Sequence, residues 1–101
     1  MVKGSRKLII DNVAKAQLRQ AYQYINKDSV QNAEKVKIKI LASLKVLIKD
    51  PERHPPDKYK LNNDGTFRAY ELYKYRITYH ISDEQITVIR IRRTKMNPLE
   101  Y

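Results

Sequence analysis

The sequence predicts an α+β fold: an N-terminal strand, an antiparallel two-helix hairpin, and three further strands (βααβββ), with the hairpin packed on an antiparallel β-sheet. Three observations carry this. Apolar residues recur at helical spacing in two adjoining segments between Val13 and Ile48. β-branched and aromatic residues then dominate Phe67 to Arg93, FRAYELYKYRITYHISDEQITVIRIRR. The strands are gathered after the helices rather than alternating with them, which favours α+β over a parallel βαβ arrangement.

Lys7 to Ile10 is a short apolar run suited to the first strand, and Asp11 and Asn12 behind it can cap a helix. Ala14, Leu18, Ala21, Tyr22 and Ile25 form one face of that helix. Asp28 and Ser29 interrupt it and can cap a second helix, whose stripe is Ala33, Val36, Ile40, Leu44, Leu47 and Ile48. Asp50-Pro51 ends the second helix, because proline disfavours helical geometry in the residue before it. The connection between the helices is short, which predicts a hairpin. Residues 51–66 read as a polar loop with a turn at Asn63-Asp64-Gly65. Strands are expected over 66–73, 75–82 and 86–93, the last two joined by a hairpin at Ser82-Asp83-Glu84-Gln85.

At 101 residues the whole chain, 1–101, reads as a single domain. Its 21 Lys and Arg against 11 Asp and Glu leave a net charge of +10, which attracts polyanions or an acidic protein. The absence of cysteine excludes disulfides, thiol nucleophiles and zinc–thiolate sites. No secretory signal and no membrane span is recognisable, so the expected location is the cytoplasm and no membrane partner is expected. There is no Gly-rich phosphate loop and no clustered metal-ligand set, so neither cofactor nor metal is expected.

The strand arginines are the main functional signal. Arg68, Arg76, Arg90, Arg92 and Arg93 occupy positions where a sheet would take Thr or Val, and half-burying guanidinium groups is costly without an anion. A two-residue loop at Asp83-Glu84 sets Ile81 opposite Ile86. Extended without interruption, that register places Arg76 opposite Ile91. It groups Arg76, His80 and Arg93 on one face, with Arg68 able to join them, and sends Arg90 and Arg92 to the other. A one-residue slip would exchange the groups. The bland alternative is pairing with the chain's own acids, such as Glu71 and Glu84.

Lys58 and Lys60 alternate with Tyr59, a pattern suited to RNA because aromatics stack on bases while lysines hold phosphates. Metal-free RNA cleavage needs the 2′-hydroxyl deprotonated, the phosphorane charge stabilised and the leaving oxygen protonated. Arginine and lysine suit the second task. Glu71, His80, Lys60, Tyr70 and Tyr101 are the available acids and bases. His54, between Arg53 and Pro55, reads as an ordinary loop histidine.

Taken together and in order, YINKDSVQNAEKV, GTFRAYEL, YRITYHI and VIRIRR followed by a short tail resemble the RelE/ParE superfamily of toxins from bacterial type II toxin–antitoxin (plasmid stabilisation) systems. The likeness spans about residues 7–101. It implies a helical hairpin on a sheet, and an acidic antitoxin that wraps and neutralises the toxin. RelE-like members cut mRNA in the ribosomal A site, whereas ParE-like members poison DNA gyrase and lack the RNA-cutting set. By the resemblance Arg76 corresponds to the arginine that contacts the scissile phosphate, Arg68 lies near a basic position of the preceding strand, and Tyr101 stands where RelE-like members carry a tail tyrosine. Thr94 falls where RelE has a late-strand arginine, with Arg93 adjacent, and the histidine that other RNA-cutting branches carry at the end of the last strand is missing. The long hairpin is the ParE-like form. The resulting expectation is a ribosome-dependent mRNA endoribonuclease with Arg76, Arg93, Tyr101 and Glu71 as catalytic residues, and Lys58, Lys60, Arg68 and Arg90 binding RNA. The alternative is a gyrase inhibitor without nuclease activity.

Overall fold

A computed structural model describes residues 6–101. Its elements are β1 (Lys7–Ile10), α1 (Asn12–Asn26), α2 (Val30–Lys49), β2 (Phe67–Leu72), β3 (Tyr75–Ile81) and β4 (Gln85–Arg93). The expected order is present, with boundaries within two residues of those read from the sequence. Ser29 caps α2, its hydroxyl accepting from the Asn32 amide at 3.1 Å. Asp11 precedes α1 with extended backbone but makes no capping bond through its side chain.

The four strands form one sheet in the order β1-β4-β3-β2. β2, β3 and β4 are antiparallel, as expected, while β1 runs parallel to β4 and makes that edge of the sheet mixed. β1 ends early. Beyond it the Gln17 side chain from α1 accepts from the Ile91 amide at 2.7 Å, satisfying a donor the missing ladder would leave open.

Both helices lie on one face of the sheet. Ala14, Ala21, Ile40, Leu44 and Leu47 meet Tyr75, Ile77, Tyr79, Ile86, Val88 and Ile91 in a single core. The Tyr79 hydroxyl is buried but satisfied, donating to the Pro51 carbonyl at 2.6 Å. Burial pushes its pKa up to about 12. Among the described residues the opposite face carries no helix. It is flanked by loop 51–66 and by the segment after β4.

Two departures from regular strand geometry position the side chains of the last two hairpins. The β3–β4 register starts as expected, with Ile81 opposite Ile86, but shifts between Thr78 and Tyr79. Tyr79 pairs with Val88 and Thr78 with Arg90, so Ile89 is an extra residue in β4, a β-bulge. The β2–β3 turn is also unusual. Tyr73 (φ 51°) and Lys74 (φ 67°) both adopt left-handed backbone, where Asn-Gly is the ordinary choice. Non-glycine residues there cost on the order of 1 kcal/mol each.

A buried aspartate under an arginine cleft

The bulge corrects the grouping of the arginines. Uninterrupted pairing would set Arg76 opposite Ile91; with Ile89 extra, Arg76 pairs with Arg92 and Thr78 with Arg90. Arg76, Arg90 and Arg92 therefore share the helix-free face, and Arg93, opposite Tyr75, goes to the helix side. There its guanidinium lies 4.3 Å over the Tyr24 ring. Arg68 does not join Arg76 either. It pairs with Tyr79 on the helix side, and its guanidinium donates to the carbonyls of Gly65 (3.0 Å), Glu52 (3.3 Å) and His54 (2.8 Å). Arg68 is thus a clasp for the loop after α2.

Arg76 is not an unpaired strand arginine. Its Nη2 donates to Asp57 Oδ1 at 2.7 Å, and its Nη1 reaches Glu71 Oε2 at 3.4 Å across the β2–β3 ladder. Sequence alone names Glu71 as one way to neutralise a strand arginine; it does not name Asp57. Asp57 is 3% exposed and accepts from three groups: Arg76, the Tyr59 amide at 3.2 Å and the Tyr101 hydroxyl at 2.7 Å. Burial alone would raise its pKa, but the bonds from Tyr101, Arg76 and Tyr59 outweigh it and hold the carboxyl below its ordinary value. Its own amide donates to Phe67 at 2.8 Å, fixing the loop to β2.

Tyr101 folds back onto this centre. Its backbone pairs with the loop in both directions, its amide donating to Tyr59 (3.1 Å) and its carbonyl accepting from Leu61 (2.7 Å). Arg90 lies 4.3 Å over its ring and Lys60 Nζ 5.3 Å from it, while Phe67 meets it edge-on at 5.9 Å. Burial, then the hydrogen bond to Asp57, raises the phenol pKa well above its usual value.

The result is an open cleft on the helix-free face, lined by Asp57, Tyr59, Arg76, Arg90, Arg92 and Tyr101 and bordered by Arg93 and Glu71 among others. Among the described residues, Arg90 and Arg92 form no salt bridge, so the cleft keeps two guanidinium groups for an anion. Arg76 adds a planar face over Tyr59 at 4.9 Å. Lys60 Nζ sits 4.9 Å over Phe67, and Lys58 5.3 Å over Tyr59, so the Lys–Tyr–Lys alternation borders the cleft. Glu71 is largely exposed at the rim. The remaining proton-transfer candidates fall apart spatially. His80 packs on Phe67 with ring centroids 4.4 Å apart. Tyr70 is on the helix side, hydrogen-bonded to Ser43 at 2.7 Å and stacked on His54 at 3.9 Å. Burial, reinforced by Arg53, lowers the His54 pKa. Among the described residues no group of three or more His, Cys, Asp or Glu is placed to hold a metal ion. Nor is any described helix long and apolar enough to cross a membrane.

Asp57 escapes sequence reading because a single acid in a Pro- and Asn-rich loop carries no periodic signal. Only the fold brings it beneath β3.

Comparison with known proteins agrees with this architecture. Residues 8–98 match the family described as the ParE toxin of the type II toxin–antitoxin system parDE. Among solved structures, the chain is similar to one described as the chromosomal ParDE toxin–antitoxin system from P. aeruginosa, with 18% identity and a TM-score of 0.71 over 88% of this chain and 96% of that one. It is also similar to the YoeB dimer from Staphylococcus aureus, with 16% identity and a TM-score of 0.55 over 88% and 97%. At those identities the structural likeness speaks for the fold alone. No curated protein sequence matches significantly. The helical hairpin, the sheet and the match over most of the chain agree: this chain belongs to the ParE toxin family, the toxins of type II toxin–antitoxin systems.

Proposed function

We propose that this toxin acts on DNA gyrase, as ParE-like toxins do, and does not cut RNA. One observation carries the reading. Arg76 and Tyr101, on which RNA cleavage would depend most, are both tied to the buried Asp57 carboxylate. A general acid must release its proton to the leaving oxygen, and a tyrosine donating to a carboxylate, with its pKa raised, is poorly matched to that task near neutrality. Arg93, assigned to the same chemistry, borders the cleft but turns its guanidinium away onto the Tyr24 ring. The cleft arginines then serve to receive an acidic segment of the antitoxin, for which Arg90 and Arg92 supply the unpaired charge.

Ribosome-dependent mRNA cleavage is the second reading, favoured by the convergence of Arg76, Arg90 and Arg92, with Glu71 at the rim as a base. The deciding experiment expresses the toxin without antitoxin in a bacterial host, then reads plasmid topology and primer extension on abundant mRNAs from the same cells. Relaxed plasmid or cleaved-complex DNA with intact mRNA is expected. Cuts inside translated frames that appear only on induction of the toxin would reverse the assignment.

A further inference from the structure

Beside the end of α1, and meeting the arginine cleft only at Arg93, lies an open groove whose lining includes Tyr24, Tyr73, Tyr75, Lys74, Arg93 and Lys95. We propose that it binds single-stranded nucleic acid, with Tyr24 and Tyr73 as stacking platforms and Lys74, Arg93 and Lys95 on the phosphates.

Charge comes first. Among the described residues, three cations line the groove and no carboxylate does. Arg93 forms no salt bridge among them; its guanidinium rests on the Tyr24 ring and donates to the Tyr24 hydroxyl at 3.4 Å, which leaves its charge unneutralised at the groove. The aromatic rings come second. Tyr24 is 50% and Tyr73 42% exposed, while Tyr75 is buried as the floor. Large exposed rings interleaved with cations match the two needs of an unpaired strand, which are faces for bases and charges for phosphates. An acidic peptide would use the cations but gain little from the rings.

The turn geometry is the third support. Tyr73 and Lys74 hold left-handed backbone, and neither side chain can relieve it through local hydrogen bonds as Asn or Asp does. A turn that departs from its preferred residues, and so sets an exposed ring and an ammonium group at the groove's edge, is the kind of local inconsistency expected at a functional site.

The test measures fluorescence anisotropy of a short labelled oligo-dT with the purified 101-residue toxin, beside a duplex of equal length and polyglutamate as competitor. The diagnostic variant is Tyr73→Asn with Lys74→Gly, which supplies the preferred turn residues and so keeps or raises thermal stability while removing the ring and the charge. Single strands should bind more tightly than duplex, and the turn variant should weaken that binding about tenfold or more. Arg90→Gln with Arg92→Gln should weaken it less. The proposal is overturned if the turn variant binds like the parent, if the loss is confined to the cleft variant, or if duplex binds as tightly as single strand. Displacement of oligo-dT by polyglutamate at equal charge would likewise assign the groove to an acidic protein. The assay contains neither gyrase nor ribosome, so its outcome is independent of which target the toxin poisons.

Discussion

Tyr101 and Asp57 lie 44 residues apart in sequence, yet the tyrosine hydroxyl donates to Asp57 Oδ2 at 2.7 Å. The other carboxylate oxygen receives Arg76 at the same distance. A residue of loop 51–66, one of β3 and one beyond β4 are thereby joined through a single buried carboxylate. Its removal affects all three segments, and Arg76 cannot be altered without exposing this dependence.

Asp57→Ala should therefore destabilise the fold by about 2–4 kcal/mol, as removal of one partner from a buried pair generally does. Arg76→Ala should also destabilise, contrary to what an unpaired strand arginine would predict, because Asp57 would remain buried with a partner missing. Urea unfolding of both single variants and the double variant checks this. A coupling near zero between the two sites would refute the pairing.

The acid limb of stability should report Asp57. Its folded pKa is depressed, so the stabilisation is present above the ordinary carboxylate value of about 4 and is lost as pH falls through the lower, folded value. Asp57→Asn should flatten the dependence of the urea midpoint on pH in that window. An unchanged slope would mean that other carboxylates dominate acid unfolding.

Tyr101 gives the opposite limb. A phenol whose folded pKa is raised stabilises the fold fully below about pH 10 and progressively less as pH rises towards its folded value. Tyr101→Phe should lose a modest part of neutral-pH stability, about 1 kcal/mol. It should also show a shallower alkaline decline in denaturation midpoint, the remainder arising from Tyr70, Tyr75 and Tyr79, whose phenols burial likewise pushes up.

Deleting Ile89 should be tolerated. With that residue gone, Val88, Arg90, Ile91 and Arg92 alternate regularly and keep their present faces. The expected loss is on the order of 1 kcal/mol of packing, with cooperative unfolding retained. Deleting Ile91 instead removes a buried core residue and turns an arginine towards the helices, and should abolish folding. Circular dichroism melts of the two deletions distinguish the cases, and equal behaviour would contradict the bulge.

The same particulars explain how much of the molecule the sequence discloses. Both helices are legible because their apolar residues recur at a period that nothing else produces, and Ser29 and Asp50-Pro51 mark the ends of α2. The Ile81–Ile86 hairpin is legible from its turn. The bulge is not, because β-branched residues run through Val88 and Ile89 without a break and either could face the core. That one extra residue reassigns Arg90, Arg92 and Arg93. Asp57 is illegible for a different reason: its role arises only when a polar loop closes on β3, a contact with no local signature. The cleft is thus half-visible, its cations in the strands and its keystone hidden in a loop.

The bulge also has an effect on the toxin's complexes. By turning Arg90 and Arg92 to the side that Arg76 occupies, it gathers three guanidinium groups where one anionic ligand meets them together. Arg93 also borders that cleft, but its guanidinium turns onto the Tyr24 ring of α1. The positive potential is therefore concentrated on one side of the sheet, and an anionic ligand approaching the toxin is steered there first.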